Sequence, residues 1–204
     1  MEVLKTRRDM APLSVAYLAD GATVHSALLN LCSSITSDAP VFAIIPKKGT
    51  PGITTHAYVD IGAAGGLPVW AARAYSTGTH SLTGIIHIMT NASRIILPAD
   101  AAYMFKNVFD NLSAGTLTVN LANIPFDFSL ITDAREMFSN PYISGIFVPA
   151  STTLPSGAAS TGMFSGCTSL VGGSGTAYDA NHTDGEYARI DNPPTAPGYF
   201  TAAT

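Results

Sequence analysis

Residues 163–175 read MFSGCTSLVGGSG, and the Met163-Phe164 pair inside this stretch is the third appearance of one phrase. The earlier copies are ADAAYMFKN at 99–107 and TDAREMFSN at 132–140, so Met104, Met137 and Met163 follow one another at spacings of 33 and then 26 residues. Spacings of this size mark stacked supersecondary units, each of which needs a neighbour to bury its apolar face. Thr116–Ala122 (TLTVNLA) and Ile143–Pro149 (ISGIFVP) lie between the copies and alternate as half-buried strands do. Stacking the copies is expected to line up Met104, Met137 and Met163 with Phe105, Phe138 and Phe164 as one core ladder. Thioether and phenyl groups at repeating positions are packing residues, not a cofactor box.

Downstream, Gly172, Gly173, Gly175, Pro193, Pro194, Pro197 and Gly198 supply turns, while Tyr178, Tyr187, Ile190, Tyr199 and Phe200 supply apolar cover. A stack of repeats needs such an end, polar outside and tied down inside. The segments MFSGCTSLVGGSGTAYD, YARIDN and PGYFT resemble the terminal repeat of BspA-like leucine-rich-repeat surface proteins, with weaker likeness back to about Leu97. The usual segment ahead of each Met-Phe is replaced here by IPFDFSLITDA. The resemblance implies an extracellular or cell-surface protein without known catalysis, often an adhesin, and it carries over no site residues.

The N-terminal half reads differently. Leu13–Leu18 is expected to form a short strand, followed by a helix over Thr23–Ile35 capped by Asp20 or Thr23. Val24, Ala27, Leu28, Leu31 and Ile35 fall on one helical face there. Val41–Ile45, Thr55–Ile61, Pro68–Tyr75 and Ser81–Met89 are rich in β-branched and aromatic residues, and are expected as strands of one sheet against which Leu28 and Leu31 pack. KKGTPG at Lys47–Gly52 lacks the order of a phosphate loop and is expected as a hairpin turn, and Gly62–Gly66 as a flexible turn.

Composition limits the function classes. The 204 residues are 47% hydrophobic and 12% charged, as in a folded chain, and the 18 glycines and 13 prolines favour short strands. Net charge is −4 and the basic residues are dispersed apart from Lys5, Arg7, Arg8 and the Lys47–Lys48 pair, so no nucleic-acid partner is expected. No apolar run is long enough to insert in a membrane, and Pro12 and Asp20 break the stretch that follows Arg8, so no signal peptide is expected. Cys32 and Cys167 are too few and too far apart for a disulfide framework or a zinc site and are expected as small buried or half-buried thiols.

The densest polar cluster is Asp179, His182, Asp184, Glu186 and Asp191, which lacks the twelfth-position carboxylate of an EF-hand loop and reads as a solvated loop. His25 has no ligand partner four residues on, Ser165 sits in no nucleophile elbow, and spacing alone does not pair Asp127, Asp133 or Glu136 for glycoside chemistry. No catalytic, cofactor-binding or metal residue is therefore assigned, and no enzyme is expected. The whole predicts an α+β, β-rich chain: a small N-terminal α/β unit over 1–91, then a short irregular leucine-rich-repeat-like solenoid with a C-terminal cap over 92–204. The function expected is a non-catalytic surface binding or adhesion module contacting a host-surface protein or glycan. The alternative is a structural or accessory subunit of a phage particle, at the virion surface, or of another multi-subunit assembly, a homo-oligomer included.

Overall fold

The computed structural model describes residues 14–33, 41–51, 57–75, 82–109 and 115–203. Lys5, Arg7 and Arg8, the expected strand start at Leu13, the helix end at Ile35 and the strand starts at Thr55 and Ser81 lie outside the described residues. The described elements are β1 (Val15–Tyr17), α1 (Gly21–Cys32), β2 (Val41–Lys48), β3 (Tyr58–Asp60), β4 (Trp70–Tyr75) and β5 (Leu82–Thr90), then β6 (Arg94–Ile96), β7 (Thr116–Asn120), β8 (Phe126–Asp127), β9 (Ile143–Pro149) and β10 (Phe200–Ala203). A 3-10 turn spans Gly185–Tyr187.

Helix α1 starts where Asp20 caps it: its Oδ1 accepts from the Thr23 amide at 3.0 Å and its Oδ2 from the Thr23 hydroxyl at 2.8 Å. Such a cap satisfies amides that the first turn cannot pair and contributes about 1 kcal/mol. Val24, Ala27, Leu28, Leu31 and Cys32 form the buried face. Gly21 is required at the first position because a Cβ there would lie 2.3 Å from the Ala102 carbonyl oxygen.

Seven strands form one mixed sheet in the order β10-β9-β7-β2-β5-β4-β3, parallel from β10 through β5 and antiparallel from β5 to β3. The other three form a second sheet, β1-β6-β8, parallel throughout. This strand order keeps the β-rich α+β character but overturns the expected succession of a small α/β unit and a separate leucine-rich-repeat-like solenoid. Strand β2, from the N-terminal half, is hydrogen-bonded between β5 and β7, so one sheet runs through both halves of the chain. The physical reason lies in β2 itself. Ile44 is fully buried and Ala43 nearly so on the alternate face, a two-sided pattern that suits an interior strand. Its pairing with β7 ends at Ile44↔Val119, ahead of Pro46, which has no N–H to donate.

The hairpin expected at Lys47–Gly52 is also corrected: β2 runs on to Lys48, and β3 pairs with β4 instead, with β4 and β5 lying between β2 and β3.

The Met-Phe copies are neither strands nor helices but turns that lie over one another. Amides of Ala101, Tyr103, Phe105 and Asn107 donate to carbonyls of Asp133, Arg135, Met137 and Ser139, and Ala134, Glu136 and Phe138 donate to Ala159, Thr161 and Met163. Phe105 and Phe138 stack at 5.5 Å and Phe138 and Phe164 at 5.8 Å, while all three methionines are fully buried. The residue just before each Met-Phe has a left-handed backbone: Tyr103 at φ 64, Glu136 at φ 50 and Gly162 at φ 65. At the far end Tyr199 meets Phe164 edge-on at 5.1 Å and the Phe164 amide donates to Thr183.

Candidate functional site

The β6–β8 register, Ile95↔Phe126 and Ile96↔Asp127, sets Asp127 opposite Ile96, two residues along β6 from Arg94, so the Arg94 side chain reaches Asp127 diagonally across the pair. There Arg94 Nη1 donates to Asp127 Oδ2 at 3.2 Å, with the two side chains 49% and 25% exposed. Asp127 Oδ1 accepts from the Ser129 amide at 2.9 Å. The Ser129 hydroxyl and amide together hold the Asp127 carboxyl below its ordinary value, with Arg94 adding to the effect, so the group is an anion at neutral pH.

Opposite this pair runs the chain that leaves β9. Ser151 and Thr153 are exposed, and Thr152 is buried with its amide donating to the Pro149 carbonyl at 2.9 Å. Between the two walls lies a cleft of about 250 Å³, lined by Arg94, Asp127, Ser129, Ser151, Thr152 and Thr153 together with Pro125 and Pro149. Phe126 and Phe128 border it, but their rings are 2% and 3% exposed and serve the core. Beside the cleft the Phe126 amide donates to the Leu121 carbonyl and the Phe128 carbonyl accepts from the Ile131 amide.

The polar cluster singled out in the tail is dispersed by the fold. Asp179 accepts from the Asn181 amide and side chain at 2.9 Å each, and Asp184 accepts from the Gly162 amide at 2.7 Å. His182 stacks on Tyr187 at 4.5 Å and faces Glu186 at 3.7 Å. Asp191 is a buried tie. Its Oδ2 accepts from the amides of Ser174 at 2.7 Å and Thr176 at 3.0 Å, and its Oδ1 from the Thr176 hydroxyl at 2.5 Å and the Gly198 amide at 3.2 Å. Burial pushes its carboxyl upward, but these donors outweigh it and leave the group below its ordinary value. Among the described residues no three His, Cys, Asp or Glu side chains converge as a metal site.

The three acids considered for paired-carboxylate chemistry are each tied to a separate cation: Asp127 to Arg94, Asp133 to Arg135 at 2.6 Å, and Glu136 to Lys106 at 2.5 Å. Ser165 is exposed on a turn, and His25 is half-buried on α1. Cys32 and Cys167 are free and buried, and burial pushes both thiols up to about 12.

Of the cleft residues, only Asp127 stood out in the sequence as a candidate for chemistry. The missed signal is the copy spacing itself: Arg94, Asp127 and Thr153 each stand ten residues before a Met-Phe pair, 33 and then 26 residues apart. Compared with protein-family models, with curated proteins and with solved structures, the chain matches none.

Proposed function

We propose that the chain is a non-catalytic binding module that contacts a protein or glycan, in the manner of an adhesion domain at a cell surface. The observation that carries this reading is the Arg94–Asp127 cleft, a preformed concavity with convergent polar groups on a rigid frame of strand ends. Supporting it, Asp127, Asp133 and Glu136 each spend their charge on a neighbouring cation, which leaves them as structural and recognition groups. The resemblance of Met163–Gly175 and its flanking closure to BspA-like leucine-rich-repeat surface proteins supports the extracellular setting. The test is a binding screen of the immobilised chain against arrayed glycans and cell-surface proteins. Saturable capture of one class is the expected result, and an absence of capture across both panels at high micromolar concentration overturns the reading.

A further inference from the structure

The cleft's chemistry narrows its occupant. We propose that it holds one ring of a neutral, hydroxyl-rich ligand, a single hexose-sized sugar residue, an inference that rests on the binding-module reading above.

Charge is the first argument. The lining carries one guanidinium and one carboxylate, Arg94 and Asp127, and these are paired at 3.2 Å. An anionic ligand would gain Arg94 but meet the Asp127 carboxylate beside it, and a cationic one would meet Arg94. Neither sign is favoured, so selection falls to hydrogen bonding. The second argument is the donor and acceptor pattern. Arg94 is all donor and Asp127 all acceptor, the hydroxyls of Ser151 and Thr153 serve as both, and the Ser129 hydroxyl, turned to Asp127, offers its lone pairs. Vicinal hydroxyls of a sugar match that array, because each accepts from the guanidinium and donates to the carboxylate in the same contact. An apolar ligand of the same size would desolvate the ion pair and the hydroxyls without replacing their bonds, at a cost for each polar group.

Size and walls complete the case. At about 250 Å³ the cleft lies below the range of drug-sized sites, roughly 300–1,000 Å³. It admits one ring rather than an extended ligand. Pro125 and Pro149 add apolar pyrrolidine surface to the lining, which the C–H groups of a sugar can cover.

The ring has two sources, a free monosaccharide or one residue of a longer chain, and the experiment separates them. The uniformly ¹⁵N-labelled protein is titrated with galactose, mannose, glucose and N-acetylglucosamine, with neutral oligosaccharides of the same sugars, and with glucuronate. Expected are saturable amide shifts at 127–129 and 151–153 with at least one neutral sugar, at an affinity on the order of millimolar for a single ring. A tenfold or tighter affinity for the oligosaccharide assigns the source to a chain; equal affinities assign it to the free sugar. Ser151→Trp fills the cleft from an exposed position and Arg94→Met removes the guanidinium donors; each is expected to weaken binding roughly tenfold or more while the amide spectrum stays folded. The proposal is overturned if only glucuronate binds, if no sugar binds, or if neutral sugars bind with both variants unaffected. Should the array screen still capture a partner in those cases, the cleft assignment alone falls; should it capture nothing, both readings fall.

Discussion

The Phe105 and Phe138 rings stack at 5.5 Å with their planes only 9° apart, and Phe138 repeats the arrangement on its other side against Phe164 at 6°. Parallel, offset rings at such distances come from backbones that repeat their path, because the amides of Phe105 and Phe138 are each bonded to the Met carbonyl of the next copy.

Phe138 is therefore the most demanding position of the ladder. Phe138→Ala leaves a void between two rings that the bonded backbone prevents from closing, at a cost of about 3–5 kcal/mol. Urea unfolding with the Phe138→Leu variant as a reference measures this, and a loss below about 1 kcal/mol would show that the ladder is not a stability element.

Two glycines separate backbone strain from crowding. Gly166 has φ 72, and a Cβ added there would meet nothing within 4 Å, so Gly166→Ala reports the left-handed backbone alone, about 1–2 kcal/mol. At Gly172 a Cβ would lie 2.2 Å from the Gly198 carbonyl oxygen and 2.6 Å from Asp191 Oδ2, so Gly172→Ala is expected to cost clearly more. Equal midpoints for the two variants would contradict the close approach.

Asp191 predicts an acid-sensitive tail. Its folded carboxyl lies below the ordinary value, so it stabilises the fold above that value and loses this contribution as pH falls through the folded one. Thermal midpoints are expected to hold near neutrality and drop from about pH 4 downward. Asp191→Asn lowers the neutral midpoint, with a cost of about 1–3 kcal/mol, and flattens the acid limb. An unchanged acid limb in that variant would assign the sensitivity to Asp20, Asp127, Asp133 or Asp179, whose carboxyls are lowered too.

Both thiols should be silent in the native protein. Burial raises Cys32 and Cys167 to about 12, and the Cys167 thiol donates to the Phe138 carbonyl at 3.0 Å. Ellman's reagent is expected to count close to zero thiols before denaturation and two after it, and fast native labelling would contradict the burial.

The sequence made visible what repeats locally. The α1 face, the four N-terminal strands of one sheet and the Met-Phe ladder are written in short local patterns of a dozen residues or fewer. Strands β6 and β8 are three and two residues long, too short to display alternation, and β10 reads only as apolar cover of the cap until its pairing with β9 is seen. The placement of β2 between β5 and β7 is a long-range choice, settled by two-sided burial and by the stop at Pro46, and no local pattern announces it. The cleft was hidden for the same reason: Arg94 and Asp127 meet only through register, 33 residues apart.

That shared offset separates two tasks within each phrase. Met104, Met137 and Met163 face inward and tolerate little change, whereas Arg94, Asp127 and Thr153, ten residues before them, face the solvent-lined cleft. Exchanging the outer three changes the lining of the cleft while the ladder stays as it is, so the chemistry of that surface is separable from the packing that sets its shape.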